Sequence, residues 1–205
     1  RGMPGAFDKA LEAAGHLRRE GVSLQFNTTV SQHNADQLPK VMELAEGMGA
    51  DALHLFLLVP VGCGLEISDE QQVSAEAYER ILNWFYDQSR VTRMELKATC
   101  APHYYRIIRQ RAREEGRKVT PQTDGMAAMT KGCLAGTGVC FLSHKGEVFP
   151  CGYLPMKAGS IREQGIEEIW KTAPIFRALR DPALLEGKCG VCEYRMVCGG
   201  CRARA

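Results

Sequence analysis

Apolar side chains recur along the first half of the chain with two alternating periods. From Gly5 to Glu20, Phe7, Ala10, Leu11, Ala14 and Leu17 fall at helical spacing and predict a helix with one apolar stripe, ended by Gly21. Val22, Leu24, Phe26, Thr28 and Val30 then alternate with Ser23, Gln25, Asn27 and Thr29, which predicts a strand with one apolar and one polar face. A second helix is predicted over Gln37 to Met48, started by Asn34 or Asp36 and turned inward through Leu38, Val41, Met42 and Ala45. Ala52 to Val59 is almost continuously apolar, the pattern of a parallel strand covered on both faces, and Pro60 and Gly62 stop it. A helix from Ala75 to Gln88 behind a Ser74 cap, a strand over Met94 to Ala98 and a basic helix over Pro102 to Glu115 continue the alternation. Helix and strand in turn, with short connections, predict an α/β fold built on a parallel sheet or partial barrel. Ligands in such folds collect at the carboxyl ends of strands. Here those ends are Asn27-Thr28-Thr29 and Pro60-Val61-Gly62-Cys63-Gly64.

Thr, Gly and Pro crowd residues 119–130, which read as a linker between a barrel part over 1–118 and a second domain over 131–205. In that second domain the dominant pattern changes from periodic apolar positions to clustered thiols. Of the nine cysteines in the chain, all but Cys63 and Cys100 lie between Cys133 and Cys201. Cys140 to Cys151 reads as a short hairpin with a thiol at each end and its turn at His144-Lys145-Gly146. Trp170, Ile175, Phe176 and Leu179 read as the core of intervening helices. Then come Cys189-x2-Cys192-x5-Cys198-x2-Cys201, with glycine at 190, 199 and 200. Glycine lets backbone pass close to whatever the sulfurs hold.

Such a density of thiols has three physical readings: disulfides, zinc or iron-sulfur clusters. The chain of 205 residues is 45% apolar, enough for a core of one or two domains, and its formal charge of +2 implies no strong field for nucleic acid or an anionic membrane. No apolar run reaches the roughly eighteen residues of a membrane span, and no signal peptide opens the chain. A reducing cytoplasmic compartment is therefore the expectation, and there clustered cysteines bind metal more often than they cross-link. Cys189, Cys192, Cys198 and Cys201 suffice for one tetrahedral zinc, which would leave Cys133, Cys140 and Cys151 one ligand short of a second site. Seven thiolates suit two four-iron clusters better, with one ligand beyond Ala205.

The run Cys133-x12-Gly146-x4-Cys151, followed by the quartet from Cys189 to Cys201, resembles the SPASM domain of radical S-adenosylmethionine (SAM) enzymes. The last spacing in this chain is two residues where that domain commonly has three. The wording around the thiols, from Gly132 to Cys140, from His144 to Pro155 and from Cys198 to Ala205, is similar to the AdoMet-dependent haem synthase branch of the superfamily. Arg1 to Phe7, Leu57 to Gly62 and Cys100 to Tyr105 share the likeness. Two sister groups, the didecarboxysiroheme deacetylases and the haem d1 maturases, are similar as well.

The resemblance implies the later part of a radical SAM barrel followed by a SPASM domain. It implies SAM and [4Fe-4S] clusters as cofactors, with Cys133, Cys140, Cys151 and Cys201 on a first auxiliary cluster and Cys189, Cys192 and Cys198 on a second. The implied reaction is oxidative decarboxylation of two propionates of iron-coproporphyrin III to vinyl groups, giving haem b. A 5′-deoxyadenosyl radical would take a hydrogen from the β-carbon, and carbon dioxide and one electron would then leave. Electron donor and acceptor proteins would be partners; nucleic acid and membrane would not. The Cys-x3-Cys-x2-Cys motif that binds the SAM-cleaving cluster is absent from these residues and is expected upstream of Arg1, so the chain alone is expected to be inactive. A SPASM peptide maturase, and a cluster- or zinc-binding module without catalysis, are the alternatives.

Other residues carry weaker signals. Asn27, with Gln25 and Thr29, lies on the polar strand face where the ribose and carboxylate of SAM need partners. Leu57, Leu58 and Val59 fit core better than an adenine contact. Cys63 and Cys100 fall outside the cluster spacings and read as small buried thiols or as residues near the site's mouth; a strand ends just before Cys100. Arg106, Arg109 and Arg113 share one helix face that suits either propionates or solvent, and His103, Tyr104 and Tyr105 begin that helix.

Overall fold

The computed structural model describes residues 3–204, without the side chains of Cys63, Ser68 and Asp69. Two compact units emerge. One joins the chain up to Leu58 with Glu70–Thr99; the other joins Val59–Asp69 with the chain from Cys100 onward.

The first unit follows the predicted alternation: α1 (Ala6–Arg19), β1 (Gln25–Val30), α2 (Leu38–Gly47), β2 (Ala52–Leu57), α4 (Ala75–Ser89) and β3 (Glu95–Thr99), with the single turn α3 (Ser68–Gln71) ahead of α4. The strands are parallel in the order β1-β2-β3. Phe26 stands beside Leu53, and Leu53 beside Leu96; one step on, Asn27 stands beside His54, and His54 beside Lys97. Side chains alternate across a strand, so one face is apolar and the other carries those polar rows. On the apolar face Leu53, Leu55 and Leu57 are 0%, 1% and 2% exposed, and Leu82, Phe85 and Tyr86 of α4 are equally sequestered. The Ser74 hydroxyl caps α4 by accepting the Ala77 N–H at 3.2 Å.

Four local expectations change. β1 begins at Gln25, three residues later than the alternation implied, because Ser23 and Leu24 are held by another partner. Asp51 Oδ2 accepts the Leu24 N–H at 2.9 Å and the Ser23 hydroxyl at 3.0 Å. Those hydrogen bonds, from Leu24 first and Ser23 next, hold the Asp51 carboxyl below its ordinary range. β2 is buried on one face only, since His54 and Phe56 are half-buried. Helix α1 forms, but its stripe has no cover among the described residues, and Phe7 and Leu17 stay exposed. Asn34, a candidate helix starter, instead ties the loop after β1: its side chain accepts the Ser31 N–H and donates to the Thr29 carbonyl, both at 2.9 Å.

In the second unit α5 (His103–Glu114) buries Tyr104, Ile107, Ile108 and Ala112. The stretch read as a linker folds into two single turns, α6 (Pro121–Asp124) and α7 (Met126–Met129). A reciprocal Thr120 and Thr123 capping box starts α6, and Arg117 donates to Asp124 at 2.8 Å. Next come β4 (Phe141–Leu142), β5 (Glu147–Phe149) and β6 (Gly159–Ser160), an antiparallel sheet in that order with Phe141 opposite Phe149. Its hairpin turns where His144-Lys145-Gly146 predicted, with Gly146 at φ +84° and its N–H on the Ser143 carbonyl. Helices α8 (Ile166–Thr172) and α9 (Pro174–Arg180) follow, then α10 (Gly187–Gly190). Val148 of the hairpin, Ile169, Ala173 and Phe176 form the core, with Trp170 and Ile175 packed against it, as expected for the intervening helices.

Candidate metal centre

The candidate metal centre is assembled from short turns. Cys151 Sγ accepts the N–H of Tyr153 at 3.4 Å, and Cys192 Sγ accepts that of Tyr194 at 3.4 Å. Cys198 likewise receives the Gly200 N–H, and Cys201 the Ala203 N–H. In each case the donor lies two residues after the sulfur. A backbone N–H aimed at sulfur is the kind of hydrogen bond that offsets the charge of a metal-bound thiolate.

The eight cysteines with described side chains are not in disulfides. Seven of them fall into two neighbourhoods, both within the second unit. In one, burial pushes the Cys201 thiol up; the Ala203 N–H and Arg204 oppose this, and Cys133 and Cys151 add to it. The same neighbourhood takes in Cys100, pushed up to about 11 by burial first and then by Cys201, with Cys151 and Cys133 contributing. In the other, burial raises Cys198, opposed by the Gly200 N–H and by Arg106 of α5, with Cys189 and Cys192 adding to the rise. Cys140 stands apart, exposed just before β4.

Glycine geometry fits a crowded turn. Gly199 and Gly200 have φ of +69° and +64°, and a Cβ on Gly200 would stand 3.1 Å from Cys189 Sγ. At Gly190 a Cβ would lie 2.4 Å from the Leu185 carbonyl oxygen. The side-chain-free positions between the thiols are thus required by close approach. Among the described residues, no three His, Cys, Asp or Glu side chains converge as one metal ion would require. Thiols grouped more loosely, four of them met by a backbone donor, with Arg106 acting on Cys198 and Arg204 on Cys201, are the chemistry that iron-sulfur clusters use.

The first unit carries the candidates on the polar strand face. Asn27 is exposed on the polar face, and its Oδ1 accepts from Gln25 Nε2 at 2.7 Å. Thr28 turns to the opposite, apolar face as the alternation predicts. The register adds His54 and Lys97 to the Asn27 row. Burial depresses the His54 pKa, and Lys97 depresses it further. Sequence reasoning missed both, although each sits at the alternating position that shares a face with Asn27. Leu57 is core, as expected. The side chain of Cys63 lies outside the described residues. On α5, Arg106 Nη1 donates to Gln110 at 2.6 Å and Arg109 reaches the Tyr105 carbonyl at 3.1 Å, while Arg113 is exposed.

Comparison with known proteins bears on this arrangement. Residues 133–201 match SPASM, an iron-sulfur cluster-binding domain. The resemblance seen in the cysteine spacing is therefore borne out. Over all 205 residues the chain is 57% identical to the AdoMet-dependent heme synthase of Methanosarcina barkeri, of which it spans 58%. It is 54% identical to the AdoMet-dependent heme synthase of Nitratidesulfovibrio vulgaris and spans 56% of that protein. The chain thus covers little more than half the length of these relatives. The crystal structure of Streptococcus suis SuiB bound to S-adenosylmethionine superimposes with a TM-score of 0.67 at 15% identity, over 96% of this chain and 44% of that one. The α/β fold followed by a SPASM domain is shared with that S-adenosylmethionine-bound structure, as the sequence implied.

Proposed function

We propose that this chain provides the later barrel strands and the auxiliary-cluster domain of a radical SAM enzyme that decarboxylates two propionates of iron-coproporphyrin III to vinyl groups, forming haem b. The observation that carries this reading is a SPASM-matched segment in which four thiols, Cys151, Cys192, Cys198 and Cys201, are met by backbone N–H donors, in a chain 57% identical to a heme synthase. When bound, SAM and its own cluster would supply hydrogen-abstracting radical chemistry, and an oxidised acceptor such as an auxiliary cluster would take the one electron released with each carbon dioxide.

The chain's own residues divide the work. Cys133, Cys151 and Cys201 would hold one cluster, for which the resemblance gives the fourth place to Cys140. Cys189, Cys192 and Cys198 would hold a second. The N–H groups of residues 153, 194, 200 and 203 would set the potentials by withdrawing charge from sulfur. Asn27, on the polar face with His54 and Lys97, would orient SAM or a substrate carboxylate. A tetrapyrrole is the substrate class, electron-carrier proteins are the partners, and the cytoplasm is the location. No helix among the described residues is long and apolar enough to cross a membrane.

Anaerobic reconstitution with iron and sulfide, followed by metal and sulfide analysis and an absorption spectrum, tests the cluster reading. A brown protein with about four to eight irons and matching sulfide per chain is expected; a colourless protein holding one zinc overturns it. The protein carrying the complete barrel, given SAM, a reductant and iron-coproporphyrin III, is expected to yield haem b by mass spectrometry. Turnover of a peptide instead, with the porphyrin unchanged, overturns the substrate assignment.

A further inference from the structure

Cys100 stands outside every spacing that marks the cysteine-rich domain, yet the chain is bent to bring it there. It follows directly on the last residue of β3 and belongs with the second unit, not with the sheet. Its φ is +56°, the one non-glycine value in the left-handed region among the described residues. L side chains adopt that conformation at a cost, and such residues cluster where function holds them. The left-handed step breaks the line of the strand and re-aims the side chain.

Two contacts then clamp distant segments together beside it. A Cβ on Gly132 would stand 2.6 Å from Pro102 Cβ and 2.7 Å from both its Cα and its carbonyl oxygen, so backbone at 132 lies directly on the segment two residues past Cys100. The Gly132 N–H also donates to the Val197 carbonyl at 2.7 Å. One residue after Gly132 is Cys133; one residue after Val197 the turn toward Cys201 begins. Thiols separated by about a hundred residues of chain are thereby gathered at one place. Cys133, Cys151 and Cys201 all act electrostatically on Cys100, and Cys133 and Cys151 act on Cys201. Tyr153, whose N–H caps Cys151, feels both Cys100 and Cys151. Cys140 is exposed, whereas Cys100 is half-buried.

We propose that Cys100 is the fourth thiolate of the cluster held by Cys133, Cys151 and Cys201, in the place the resemblance gives to Cys140. This rests on the cluster reading of the domain. Ligation exchanges a proton for iron: the S–H bond breaks, the proton leaves to solvent, an S–Fe bond forms, and no electron is transferred. A four-iron core demands four converging thiolates, and here the fourth arrives from the end of the sheet, not from the hairpin.

The test reconstitutes this chain anaerobically as wild type, Cys100→Ser, Cys100→Gly and Cys140→Ser, and reads iron, sulfide and the electron paramagnetic resonance spectrum after reduction. Glycine adopts φ +56° freely, so Cys100→Gly removes the thiol without adding backbone strain at that position. Both Cys100 variants are expected to lose about four irons per chain, or to keep them with a changed spectrum that responds to an added small thiol, while Cys140→Ser matches wild type. Cys100 variants with wild-type iron and spectrum, or loss of the cluster in Cys140→Ser alone, overturn the assignment. A wild-type chain that takes up no iron overturns the cluster reading itself, and this proposal with it.

Discussion

In the sheet unit, β2 sits between two parallel neighbours and lays Leu53, Leu55 and Leu57 on a closed apolar face. In the cysteine-rich segment, residues 133–201, the hairpin and helices pack around a cluster of Val148, Ile169, Ala173 and Phe176, and the strands are two or three residues long. Two-residue strands cannot hold a fold by ladder hydrogen bonds. The sheet unit is therefore stabilised by burial, the cysteine-rich segment by a small core plus whatever its thiols bind, as in other small metal-stapled domains.

Metal removal is the largest expected break in that contrast. Stripping the reconstituted chain with a chelator should raise amide exchange across residues 133–201 while β1 to β3 stay protected; equal exchange in both regions would end the distinction. Next, Leu53→Ala is expected to cost about 3 kcal/mol in thermal or denaturant unfolding, with iron content per folded chain unchanged. Loss of iron in that variant would show that the two units are not energetically separate. Asp124→Asn should cost about 1.5 kcal/mol, because it removes the charge that Arg117 Nη1 meets, while Glu115 still accepts from Arg117 Nε. Burial pulls the Asp124 pKa upward, but hydrogen bonds from Arg117, Thr123 and Thr120 win and hold it below 3.8. Its contribution is thus fully present above the unfolded-state value and disappears as pH falls through the lower folded value, a loss that Asp124→Asn should abolish in an acid titration of stability. Smallest in stability is Asn27→Ala, with less than about 0.5 kcal/mol expected at this exposed position. In the protein with the complete barrel the same change should weaken SAM binding roughly tenfold, about one hydrogen bond; unchanged binding removes Asn27 from the site.

What was legible in the chain tracks how local the cause is. The two faces of β1, the Ser74 cap and the hairpin turn at Gly146 depend on residues a few positions apart, and they stand where periodicity and turn chemistry put them. The exposed stripe of α1 and the half-open face of β2 do not: the pattern says which side is apolar, not what covers it. The turns α6 and α7 hid in a Thr- and Pro-rich stretch, although Pro121 at the first helical position behind Thr120 was a readable start signal. At the metal centre, spacing revealed the thiols within the domain. Cys100 was invisible as a neighbour of Cys133 because Pro102 meets Gly132 only after folding.

The recurrent hydrogen bond from the second residue after a sulfur has a practical consequence. Each of four thiols comes with a private amide, at residues 153, 194, 200 and 203, whose proton leaves slowly only while its sulfur stays in place. Isotope uptake at those positions would report, one by one, which ligands have let go as oxygen erodes the centre.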